Sequence, residues 1–194
     1  MSAIQFLEIF TLITGIAYVI LEILQKNFMW IVGFLTALAA VIVFSEQKLY
    51  ASATLNTYYL IMSVIGYYNW LKDSKKTPSN SIHLNPLTKK VMIYSIILLI
   101  VGTYLFHLFL NYLGDPMGWL DSFIALLSAI ATYWLAKSYI SQWWLWVVAD
   151  ILSTILCYHQ GMKWMSFLYL IYSLSAIYGY FYWKKNSENY NEIL

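Results

Sequence analysis

Apolar residues run in blocks of about twenty, separated by short polar connections, and this pattern predicts seven helices long enough to cross a bilayer. The predicted spans are about 4–24, 28–45, 50–71, 90–112, 117–136, 141–158 and 163–183. Most connections are brief. The exception runs from Lys72 to Lys89 and holds Pro78, Pro86 and the polar stretch Thr77 to Ser81, which reads as a loop. Gly114-Asp115-Pro116 predicts a compact turn, and the chain after Lys185 is a polar tail expected to be disordered. No basic segment or small-residue cleavage site precedes the first apolar run, which is therefore expected to be a span and not a removable signal.

Composition agrees with the pattern. Apolar residues make up 61% of the 194 and charged residues 10%, against about 25% charged in ordinary soluble domains. An integral membrane protein is the expectation. The single cysteine, Cys157, excludes an internal disulfide. His83, His107 and His159 sit in separate segments, so no metal-ligand spacing arises and no cofactor is called for. No glycine loop for phosphate is present, and the basic residues speak to topology and not to nucleic acid.

With seven spans, the loops after spans one, three and five share one side with the C-terminus. That side carries Lys26, Lys72, Lys75, Lys76, Lys89, Lys90, Lys137, Lys184 and Lys185; the other has only Lys48 and Lys163. The positive-inside rule then puts the N-terminus outside and the C-terminus in the cytoplasm.

The chain also repeats itself. Gly66-Tyr67-Tyr68-Asn69-Trp70 near the end of span three matches Gly179-Tyr180-Phe181-Tyr182-Trp183 in span seven, at an offset of 113. The same offset pairs Tyr59 with Tyr172, Gln47 with Gln160, Trp30 with Trp143 and Glu8 with Asp121. Spans one to three are thus expected to recur as spans five to seven, with span four as linker. A single linking span makes the two triples enter the membrane in the same direction, a parallel repeat with its axis along the membrane normal. The expected units are 1–72, 73–116 for the loop and linker, 117–185, and a tail 186–194. Glu8 and Asp121 lie about one turn into their spans; helix capping is the favoured role, an outer vestibule the alternative. Glu22, near a span's end, calls for no special account.

The candidate chemistry lies in Trp143 to Asp150, WWLWVVAD. Asp150 falls roughly 13 Å past Ser141, about halfway through a hydrocarbon layer of about 30 Å. A charge at that depth costs about 2.5–3.5 kcal/mol on insertion scales. Trp143, Trp146 and Asp150 share one helix face, with Gln142 along nearly the same stripe. Two indoles, an amide and a carboxylate suit a flat cationic ligand. The same residues also fit an interfacial tryptophan belt with an aspartate satisfied by neighbouring helices. Asn56, Tyr59 and Ser63 of span three, and Tyr169 and Tyr172 of span seven, are placed around Asp150; helix packing is the competing role for each. The repeat partner of Asp150 is Ala37, so the carboxylate belongs to one half only.

The motif W-x-x-W-x-x-x-D, together with Leu49 to Ser52, Gly66 to Trp70 and Trp119 to Ser122, resembles the PnuC family of bacterial vitamin transporters over nearly the whole chain. The resemblance implies an all-α, 3+1+3 fold related to the SWEET sugar transporters, a homotrimer in the bacterial inner membrane, and facilitated uptake of a vitamin, with no enzymatic activity. It implies that Gln142, Trp146 and Asp150 line the site, faced by Asn56. Nicotinamide riboside members often end the motif in Asn where this chain has Asp150, and carry Gln where it has Asn56. Nicotinamide riboside and thiamine both remain open as cargo; a riboflavin-type transporter and a non-transporting membrane subunit are the alternatives. A retinal receptor would need a mid-span lysine in the last helix, and an intramembrane aspartyl protease two aspartates at one depth. Neither is present. Only Asp150 is expected deep in the membrane, which predicts transport without ion coupling.

Overall fold

The computed structural model describes residues 14–46, 50–75, 81–112, 114 and 118–187. Glu8, Gln47, Lys48, Leu49, Lys76, Pro78, Asp115, Pro116 and the tail from 188 lie outside the described residues. Among the described residues seven helices follow one another. They are α1, described over Thr14–Ile23, then α2 Phe28–Glu46, α3 Tyr50–Asp73, α4 Lys89–Tyr112, α5 Trp119–Ala136, α6 Gln142–His159 and α7 Lys163–Asn186. The last six coincide with their predicted spans to within a few residues. They contain 18 to 24 residues each, about 27–36 Å of helix. Among the described residues there is no strand, only an isolated bridge between Ile82 and Ser187.

Local signals end the helices where the apolar runs stop. Gly161 takes φ +78° after α6, and Met162 N–H reaches back to Cys157 O at 2.8 Å, the left-handed cap that glycine adopts without steric cost. At the start of α5 the Gly118 N–H donates to Asp121 Oδ2 at 3.3 Å, so Asp121 serves as a helix cap.

Residues 113 apart make the same contacts. α1 ends at Gln25 (φ +49°), with Lys26 N–H donating to Leu21 O at 2.9 Å. α5 ends at Ser138 (φ +55°), with Tyr139 N–H donating to Trp134 O at 3.0 Å. The indole of Trp30 lies on the backbone of Gly66, and that of Trp143 on Gly179; a Cβ at either glycine would come within 3.0 Å of the ring. Trp30 meets Trp70 edge to face at 5.3 Å, and Trp143 meets Trp183 at 5.3 Å. The Nε1 of Trp70 donates to Leu135 O at 3.0 Å and that of Trp183 to Glu22 O at 3.3 Å. Helix α2 packs on α3 as α6 packs on α7, and α5 joins them by touching both α3 and α6.

The core gathers at the lysine-bearing end of the bundle, around Trp30, Trp70, Trp143 and Trp183. Across that end runs a strap, residues 81–88, where the sequence predicted only a loop. His83 exchanges two hydrogen bonds with the Gln25 side chain, at 2.8 and 2.9 Å. Asn85 Nδ2 donates to Lys137 O at 2.9 Å and Asp73 Oδ2 at 3.2 Å, while Ile82 N–H donates to Asn186 O at 2.9 Å. Leu84 is fully buried beneath it. The strap therefore ties the ends of α1, α3, α5 and α7 together, and its backbone groups are satisfied by those ends.

Helix α4 stands outside this core and packs on α5. Trp134 Nε1 donates to Ser95 Oγ at 3.0 Å, and Leu126 fits over Gly102. Thr103 and Leu110 are its buried residues, while Ile93, Ile97, Ile100, Leu105 and Leu108 are exposed.

Candidate functional site

Between the helices lies a cavity of about 320 Å³. Its size is that of a small-molecule pocket, about 300–1,000 Å³. Seven of the eight candidate residues line it: Trp143, Trp146 and Asp150 from α6, Asn56 and Tyr59 from α3, Tyr169 and Tyr172 from α7. Ser63 lines it too. The helical spacing explains α6, since positions 143, 146 and 150 fall on one face and that face turns inward. Ala37, the offset partner of Asp150, is also in the wall. The cavity is thus acidic on the α6 side and apolar where α2 supplies the equivalent position.

Gln142 takes a different place. It is fully buried and does not border the cavity; its Nε2 donates to Glu22 Oε1 at 3.4 Å. It holds a residue of the wall from behind, and its Oε1 has no partner among the described residues.

Glu22 is what the sequence reading passed over. Its position near the end of the first apolar run suggested a carboxylate at a wet boundary. It is instead 4% exposed and lines the cavity. The end of α1 is held in place because Trp183 Nε1 donates to the Glu22 and Ile23 carbonyls, at 3.3 and 3.0 Å. A signal was available: Gly15, Tyr18 and Glu22 are spaced i, i+3, i+7 on one helix face, and all three line the cavity. Trp30 was also missed as a lining residue, although its pairing with Trp143 was visible from the offset.

The polar groups of the cavity are of two kinds. Asp150 is 8% exposed and borders the cavity. The indole N–H groups of Trp30, Trp143 and Trp146 are buried and find no acceptor among the described residues. The cavity's described lining holds two carboxylates and no lysine, arginine or histidine. Such a wall can stack a flat ring, attract positive charge, and both donate and accept hydrogen bonds. Among the described residues no three His, Cys, Asp or Glu come together as metal ligands.

The family model described as nicotinamide mononucleotide transporter matches residues 5–185. The chain is 24% identical to the nicotinamide riboside transporter PnuC of Escherichia coli (strain K12), over 88% of this chain and 82% of that protein. It is 24% identical to the riboflavin/roseoflavin transporter RibM of Streptomyces davaonensis, over 86% of this chain and 79% of that protein. The crystal structure of the vitamin B3 transporter PnuC superposes with a TM-score of 0.70, at 24% identity over 91% of this chain and 80% of that one, and shares its fold. The chain belongs to the nicotinamide mononucleotide transporter family, that of the PnuC proteins, whose members are transporters and not enzymes.

Proposed function

We propose that the protein is a facilitator in the bacterial inner membrane that takes up a small, flat, cationic vitamin, nicotinamide riboside or thiamine. The observation that carries this reading is the cavity itself, in which Trp143, Trp146 and the buried Asp150 stand on one inward helix face. A ring cation gains stacking and charge attraction there, and its charge offsets the cost of burying the Asp150 carboxylate. The same wall disfavours a mononucleotide. A phosphate would face Glu22 and Asp150 with no basic residue among the described lining to pair with it.

The architecture suited to this task is two parallel triples, α1–α3 and α5–α7, joined by α4, with the cavity between them. The contacts that recur at the offset of 113 support it. The exposed apolar side chains of α4 suit a surface for lipid and for neighbouring copies in a trimer. Eight of the nine lysines predicted to be cytoplasmic lie among the described residues, all at the strap end, which fits an N-terminus outside and a C-terminus inside.

A second reading, a neutral riboflavin-type cargo, draws on the similarity to RibM. Uptake of nicotinamide riboside, thiamine and riboflavin into proteoliposomes, measured side by side, separates the two. Saturable uptake of either cationic vitamin supports the first reading. Uptake of riboflavin alone replaces it with the second, and uptake of none rejects both.

A further inference from the structure

The cavity has two acidic poles, and the uptake reading uses only one. Glu22 stands at the level of Gln142, its hydrogen-bond partner. Asp150 lies two helical turns further along α6, about 12 Å of rise. Both carboxylates border the same cavity from opposite triples, Glu22 from α1 and Asp150 from α6. A ring cation joined to a sugar or to a second ring is long enough to reach from one toward the other.

Glu22 is poorly satisfied for a buried carboxylate. Its partner is a neutral amide at 3.4 Å, long for a hydrogen bond, and no ammonium or guanidinium pairs with it among the described residues. A packing role would favour an apolar side chain here, and the offset partner of Glu22 is indeed one, Leu135. Trp30 and Trp143, 1% and 2% exposed, line the cavity together with Glu22. Glu22 borders the free space of the cavity, where a ligand group that donates a hydrogen bond can meet its carboxylate. Hydroxyls donate and accept; so does the edge of an aminopyrimidine.

We propose that Glu22 is a specificity-determining residue, which accepts hydrogen bonds from the uncharged, donor-bearing end of the substrate while Asp150 faces its cationic ring. The inference rests on the uptake reading and deepens it. Gln142 holds the Glu22 carboxylate in place, which gives the Gln142 side chain a purpose although it does not border the cavity.

The test compares whole vitamins with their cationic fragments: nicotinamide riboside against 1-methylnicotinamide, and thiamine against its thiazolium half. Binding to purified wild type, Glu22→Ala, Glu22→Gln and Asp150→Asn is measured by calorimetry, with ligand-free melting temperature as the folding control. Glu22→Ala should weaken the whole vitamin about ten-fold, the loss of one hydrogen bond to a charged group. It should leave the fragment unchanged. Glu22→Gln keeps an acceptor oxygen and should fall between, which preserves the comparison if the alanine variant does not fold. Asp150→Asn should weaken vitamin and fragment alike. Equal losses for vitamin and fragment in the Glu22 variants, or no loss in either, would overturn the proposal while the uptake reading stands. Failure of the wild type to bind any of the four ligands would overturn both.

Discussion

Trp70 and Trp183 meet edge to face with ring centres 6.1 Å apart, and the two residues occupy equivalent positions 113 apart in the chain. Each also donates its indole N–H to a backbone carbonyl of a distant helix, Trp70 to Leu135 of α5 and Trp183 to Glu22 of α1. The pair therefore ties α3 to α5 and α7 to α1 as well as packing ring on ring. Replacing either with Phe removes a buried hydrogen bond while the Leu135 and Glu22 carbonyls keep their bonds from the Ser138 and Gln25 N–H groups, a cost of about 0.5–1.5 kcal/mol. Thermal unfolding in detergent should show a lowered midpoint for each variant, and a non-additive effect for the double variant because the rings touch. Strict additivity would mean that the two act independently.

Gly66 and Gly179 should resist substitution. A methyl group at either would come within 3.0 Å of the ring atoms of a buried indole, Trp30 or Trp143. Overpacking of this kind costs about 1–3 kcal/mol. Gly102→Ala is the control, since its nearest neighbour is a Leu126 methyl group at 3.1 Å, which a rotamer change can move. Melting temperatures of the three alanine variants should fall for 66 and 179 and stay nearly level for 102.

On the aromatic wall, Trp146→Ala should weaken binding about ten-fold, from a stacking loss of about 1–2 kcal/mol. Asp150→Asn keeps the shape and removes the charge. It should weaken cationic vitamins and spare a neutral analogue of the same outline. Titrations of both ligands into wild type and variant at one pH decide this; equal losses for the two would leave Asp150 as a packing residue.

Uptake should follow the substrate's own gradient. Ion relays generally use several ionisable groups strung along a path. The described lining here has two, Glu22 and Asp150, where the sequence had suggested one. In vesicles held at fixed voltage, an imposed sodium or proton gradient should leave the initial rate unchanged. Voltage must be held because a cationic cargo responds to it directly, by about 2.3 kcal/mol per charge per 100 mV. Stimulation by either gradient would assign Glu22 or Asp150 a coupling role.

The sequence by itself determined what depends on spacing along one helix or on comparison of one segment with another. Apolar runs placed α2 to α7, because a helix in an apolar medium must satisfy its own backbone and so needs an unbroken run. The offset of 113 paired Trp30 with Trp143 and Gly66 with Gly179 before their contacts were known. Helical spacing put Trp143, Trp146 and Asp150 on one face. Which way that face turns, and what meets it, was decided by the tertiary structure. Burial of Glu22 comes from α6 and α7, through Gln142, 120 positions away, and Trp183, 161 positions away. No local pattern carries such a distance. Residues 81–88 look like any polar loop because the groups that order them belong to four helix ends; the bonds from Gln25 to His83 span 58 positions and those from Asn85 to Lys137 span 52. Gln142 shares a stripe with Asp150, but the carboxylate of Glu22 draws its amide away from the cavity, and that carboxylate is brought there only when α1 packs against α6 and α7.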